Sequence, residues 1–100
     1  MLIMNDQNFN EIIRSGHDLI LYFYDESSPW CKICDSSLRE VDQMIGKSFD
    51  LCFINLNSYP QIAAACNVDQ APTFILIRNT KIYKRSSGPL KSNEILNLLR

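Results

Sequence analysis

The sequence contains little histidine, glycine or proline: one His, three Gly and four Pro in 100 residues. A lone histidine leaves no His pair for a zinc or iron site, so a metal centre would need a second cysteine pair. So little glycine and proline, beside 46% hydrophobic residues, excludes a disordered or low-complexity chain. Excess charge is missing too. Ten Lys/Arg stand against eleven Asp/Glu, and no basic cluster is ready for a phosphate backbone, which argues against nucleic acid as a partner. No stretch approaches the roughly 18 apolar residues that span a bilayer. The opening Met1-Leu2-Ile3-Met4-Asn5-Asp6 lacks the charged region and long apolar region of a secretory signal. The expectation is one domain over residues 1–100, starting at Met1, with no membrane partner and a cytoplasmic location.

Four cysteines are present, enough for two structural disulfides in a secreted domain. Their spacing points elsewhere. Cys31 and Cys34 form a tight pair, whereas Cys52 and Cys66 stand alone inside apolar segments. One reactive pair and two buried thiols fit that pattern better than a disulfide framework.

The periodicity alternates along the chain. Leu2-Ile3-Met4 is a short apolar run, read as a first strand. Asn5-Asp6 supplies cap residues before Phe9, Ile12 and Ile13 at helical spacing, and Gly16 stops that helix. Leu19–Tyr24 is a continuous apolar run, as in a strand buried on both faces. Asp25–Pro29 is a polar break, and from Cys31 a stripe of Cys34, Leu38, Val41 and Ile45 runs to Gly46. A second buried strand follows at Phe49–Leu56, then a short helix through Ala65 with Ser58 as its cap and Pro60 early in it. Thr73–Ile77 and Lys81–Arg85 read as strands joined by a tight turn at Arg78-Asn79-Thr80, and Ser92 caps a last amphipathic helix. The order β-α-β-α-β-α-β-β-α implies an α/β fold, a mixed central sheet with helices on both faces.

The chemistry centres on Cys31 and Cys34. Three residues apart at a helix start, their Cα atoms would lie about 5 Å apart, within disulfide reach. Cys31 is at the end where unpaired N–H groups and the helix dipole favour a thiolate, and Lys32 adds a positive charge. Ile33 carries a backbone N–H, expected to cap that thiolate. Both effects make Cys31 the nucleophile and Cys34 the resolving thiol. A metal site is the weaker reading, because the only histidine is His17. An inert core pair is weaker also, because Trp30, Lys32 and Asp35 are odd company for core thiols. His17, after the helix stop, is expected to be exposed and idle.

Three features occur together: Trp30-Cys31-Lys32-Ile33-Cys34 after a buried strand, Ala71-Pro72-Thr73 before a later strand, and Ser87-Gly88 before the last helix. In this combination the sequence resembles the thioredoxin superfamily, and within it the thioredoxins, from Asn5 through Leu99. The resemblance implies the thioredoxin fold and the following roles. Cys31 is an exposed nucleophile and Cys34 its buried partner. Pro72 carries a cis bond beside the dithiol, and the Ala71 backbone holds an extended substrate segment. Trp30 shapes the docking face, and Gly88 keeps it flat. The activity implied is reduction of disulfide-containing proteins by a monomer without a bound cofactor, with electrons from a thioredoxin-reductase-type donor or a small thiol. A glutaredoxin-like or oxidising exchanger and a non-catalytic binding module are the rival readings. The chain also departs from the family: Lys32-Ile33 replaces Gly-Pro, Asp35 replaces a basic residue, and the Asp25–Pro29 loop is three residues longer. Tyr22 and Phe53 stand where the family has a buried Asp and its Lys companion.

Overall fold

Within the sheet each strand alternates its side chains between two helical layers. The computed structural model describes residues 2–99. Its elements are β1 (Leu2–Ile3), α1 (Phe9–Arg14), β2 (Leu19–Tyr24), α2 (Pro29–Ile45), β3 (Asp50–Asn55), α3 (Pro60–Ala65), β4 (Thr73–Arg78), β5 (Lys81–Ser87) and α4 (Ser92–Leu98). The sheet runs β1-β3-β2-β4-β5. β3 is parallel to β1 and β2, whereas β4 is antiparallel to β2 and β5.

β2 lies at the centre, and its apolar run is buried on both faces. Leu19, Leu21 and Phe23 join Cys52, Ile54, Ile75 and Ile77 in one core, covered by Ile62 and Ala63 of α3 and by Phe9, Ile12 and Ile13 of α1. Ile20 and Tyr22 join Leu51, Phe74 and Leu76 in the other, covered by Cys34, Leu38, Val41 and Ile45 of α2 and Ile95 of α4. Every strand with apolar residues at both parities thus feeds two cores, which is why these segments read as unbroken hydrophobic runs. Among the described residues, no helix is long and apolar enough to cross a membrane.

The structure corrects several details at the element ends. α2 begins at Pro29, two residues before the sequence reading, with Ser28 at the N-cap and proline in the first turn. Proline is well suited there, since its missing N–H would lack a helical partner anyway. The α1 cap is Asn8, not Asn5-Asp6. Asn5 Oδ1 instead accepts from the Gln7 and Asn8 amides, one turn earlier. Tyr59 rather than Ser58 precedes α3, and Asn55 Oδ1 accepts from the Asn57 and Ser58 amides. Lys91 is the N-cap of α4. Its amide donates to Glu94 Oε1 at 3.0 Å, while the Ser92 hydroxyl donates to Glu40 Oε2 at 2.8 Å and ties α4 to α2. His17 is exposed but not idle, because Nδ1 lies 3.1 Å from Asp50 Oδ2.

Candidate active site

The site gathers at one end of the sheet, and strand register explains why. Phe23 at the end of β2 pairs with Thr73 at the start of β4, and Thr73 pairs with Ser87 at the end of β5. The residues just beyond these partners therefore meet. They are the Asp25 loop with the start of α2, Ala71-Pro72, and Gly88. The Ala71–Pro72 peptide bond is cis, and the Gly88 amide donates to the Pro72 carbonyl at 2.8 Å. Ala71 therefore lies just past the last bond of the β4–β5 ladder. Gly88 has φ +94, and a Cβ there would meet nothing within 4 Å. Backbone conformation, not crowding, thus asks for glycine.

Cys31 and Cys34 both lie in the opening turns of α2, and all four cysteines carry free thiols. The expectation of an exposed nucleophile is corrected: Cys31 is only 4% exposed. The earlier helix start places it inside the first turn of α2, where the backbone of Asp25 comes up against its sulfur. Its sulfur still has a polar partner, the Asp25 backbone N–H, which donates to Cys31 Sγ at 3.4 Å. The expectation that the Ile33 amide caps the sulfur is also corrected. In a helix starting at Pro29, the Ile33 N–H belongs to the regular ladder and faces the Pro29 carbonyl.

A cleft of about 330 Å³ opens beside Cys31, lined by Tyr24, Asp25, Glu26, Lys32, Asp35 and Phe53. Lys32 thus shares the cleft with Cys31 and with three carboxylates. Hydrogen bonds from Ser27 hold the Asp25 carboxyl below the usual range. Cys34 is fully buried, and burial pushes its thiol up, with a hydrogen bond from the Leu90 backbone opposing. Leu90, in the loop after Gly88, packs against the core that holds Cys34. Trp30 and Ile33 lie on the outer surface, 55% and 56% exposed. The structure therefore places two apolar side chains outward around two inward sulfurs. Among the described residues, no group of three or more His, Cys, Asp or Glu side chains is arranged to hold a metal ion.

Tyr22 is a site residue whose role the sequence reading missed. Its ring is fully buried, packed 5.3 Å from the Phe53 ring and 5.1 Å from that of Phe74. Its hydroxyl donates to the Cys31 carbonyl at 3.2 Å. Burial, and then the bond to Cys31, hold this phenol well above its usual range. It is therefore a fixed donor near neutral pH, not a base. Its departure from the family pattern marked the position, but the hydroxyl's target is set by tertiary packing.

A family model described as Thioredoxin matches residues 1–100. Among curated relatives, "Thioredoxin Y, chloroplastic" of Oryza sativa subsp. japonica is 28% identical over 93 residues, covering 89% of this chain and 54% of that protein. "Thioredoxin H2" of Arabidopsis thaliana is 33% identical over 86 residues, covering 84% of this chain and 62% of that one. The chain thus spans little more than half the length of the curated relatives it matches. A solved structure titled "Structure of a malarial protein" superposes with a TM-score of 0.78 at 23% identity, covering 83% of this chain and 93% of that chain. That likeness concerns the fold.

Proposed function

Because the chain belongs to the thioredoxin family, we propose that it is a protein disulfide oxidoreductase that reduces substrate disulfides through Cys31 and Cys34. The observation that carries this reading is Cys31 in the opening turn of α2, facing a cleft, with the Asp25 N–H aimed at its sulfur. Cys34 lies one turn behind it.

The Cys31 thiolate attacks one sulfur of a substrate disulfide. That bond breaks, a Cys31–substrate disulfide forms, and the departing sulfur takes up a proton. Cys34 then loses its proton and attacks Cys31 Sγ, closing the protein disulfide and releasing the second substrate thiolate. Two electrons pass to the substrate, and a thioredoxin-reductase-type enzyme or a small thiol restores the dithiol. Trp30 and Ile33 supply the apolar docking surface, and Ala71 and Pro72, beyond the ladder's last bond, offer backbone to an extended segment. We place the protein in the cytoplasm, a reading supported by Cys52 and Cys66, unpaired thiols of the kind that persist in reducing compartments.

Insulin reduction driven by NADPH and a thioredoxin reductase, and separately by glutathione, tests the proposal. Turnover with the reductase supports it. Turnover with glutathione alone favours a glutaredoxin-like exchanger, and no turnover with either leaves a binding module.

A further inference from the structure

The charge is not spread evenly. Residues 78–91 hold five of the ten Lys/Arg and none of the eleven Asp/Glu. The other 86 residues carry five cations against eleven carboxylates. Four of the five cations, Arg78, Lys81, Lys84 and Arg85, fall on the final residue of β4 and on β5, an outer strand of the sheet. Two apolar side chains stand among them, Ile82 at 48% and Tyr83 at 52% exposure. They line, with Arg78, Asn79 and Lys81, a second cleft of about 540 Å³. The ladder shifts register here: Leu76 pairs with Lys84 and Ile77 with Ile82, so Tyr83 is the extra residue. Such bulges re-aim side chains at sheet edges.

Two of the cations on this strip are anchored. Arg78 Nη2 donates to the Leu99 carbonyl at 2.7 Å, and its guanidinium lies 5.5 Å from the Phe49 ring and 4.8 Å from that of Tyr83. Arg85 donates through Nη1 and Nη2 to the Cys66 and Asn67 carbonyls at 3.1 and 2.7 Å. Arg85 spends its fork on neutral carbonyls, so its positive charge still projects along the edge, whereas Arg78 Nε lies 3.9 Å from Asp18 Oδ2, which partly offsets the Arg78 charge.

We propose that β5 and its turn form a docking strip for an acidic, partly apolar extended segment of a partner protein. Charge complementarity sets the sign, and Ile82, Tyr83 and their cleft ask for apolar side chains between the acidic ones. A phosphate backbone fits less well. It offers no apolar groups to Ile82 and Tyr83, and the four cations here fall short of the roughly six to ten phosphate contacts of a strongly salt-dependent nucleic-acid binder. The cleft adjoins the β4–β5 turn, whereas the dithiol lies beyond the opposite end of β5, about 20 Å along the strand. A partner held here could present its disulfide to Cys31 and gain effective concentration at the site. This last step rests on the proposed reductase activity, but the binding does not.

The test uses the full chain and a fluorescein-labelled peptide of alternating glutamate and valine, followed by fluorescence anisotropy and by amide chemical shifts. The expected result is binding that weakens with salt, with shifts confined to residues 78–87. Lys81→Glu with Lys84→Glu should weaken it at least tenfold, and Ile82→Ser several-fold, with insulin reduction unchanged. Three results would overturn the proposal: no binding of the acidic peptide, equal binding of the lysine–valine peptide, or shifts that map elsewhere. Tighter binding of a single-stranded oligonucleotide of equal charge would overturn it too. Inactivity toward insulin with the binding intact would remove the reductase reading alone.

Discussion

At the residue scale the two sulfurs differ in kind. Cys31 borders a cleft and receives a backbone N–H, whereas Cys34 is sealed in the core between α2 and the sheet. Cys31→Ser should abolish exchange, and Cys34→Ser should accumulate mixed disulfides with substrate proteins, visible on non-reducing gels. Equal trapping by both variants would refute the assignment of roles. A second consequence concerns protons. Burial raises the Cys34 pKa, and neither Tyr22 nor Phe53 can accept its proton near neutral pH. The resolving step should therefore keep accelerating with pH, close to tenfold per unit, beyond the ordinary thiol value of about 8.5. Stopped-flow release of a chromophoric thiol from the Cys31 mixed disulfide measures this, and a plateau near neutrality would show that another base serves Cys34. Tyr22→Phe removes one hydrogen bond to the Cys31 carbonyl but keeps the ring. Denaturant unfolding should register a loss of about 1 kcal/mol, with exchange retained.

At the scale of the element, the four apolar positions assigned to the α2 stripe are all buried, and Cys31 joins them as a fifth. Leu38, fully buried at its middle, should cost about 2–5 kcal/mol when changed to Ala, read from the urea midpoint. A cost near zero would mean that α2 is not packed as described. The order and type of the elements were legible because the central strands β2 and β4 read as unbroken apolar runs and α2 as a stripe. β5, polar along most of its length, was legible through the turn at Arg78-Asn79-Thr80 that joins it to β4. The start of α2 was not. Ser28-Pro29 carries a cap-and-proline signal of the kind recognised in Pro60 of α3, but the polar residues from Asp25 masked it. The consequences of that shift were equally hidden. Where Cys31 lies in the turn decides which amide reaches its sulfur, and the donor turned out to be Asp25, six residues upstream. The bond from Tyr22 to the Cys31 carbonyl joins a strand to a helix across the core, and no local pattern encodes it. Cys31 and Cys34 themselves were legible because their spacing is chemical information in its own right.

For the whole molecule, buried thiols set the response to alkali. Burial pushes Cys52 up to about 12 and raises Cys34 and Cys66 also. A thiol whose folded pKa exceeds its unfolded value holds its proton more tightly in the native state. Its stabilising contribution is full below the unfolded pKa and is lost as pH rises above it. For Cys52 that loss runs from about pH 8.5 toward 12, at up to about 1.4 kcal/mol per pH unit. Thermal unfolding should thus show a falling Tm above about pH 8.5, and Cys52→Ala should flatten that decline while lowering the Tm at neutral pH. A decline unchanged by the substitution would assign the alkaline sensitivity to other groups.

The division of the core by the sheet has one more consequence. Cys34 lies on the α2 and α4 side, whereas Cys52 and Cys66 lie on the α1 and α3 side. Five hydrogen-bonded strands stand between them as insulation. Sulfur can pass oxidation to sulfur only by direct collision, so the rear thiols are cut off from whatever the front pair receives. The electron capacity of the chain is therefore half of what its sulfur content suggests. Titration with an oxidant in the native state should stop at one equivalent of disulfide per chain, leaving two thiols that react with iodoacetamide only in denaturant.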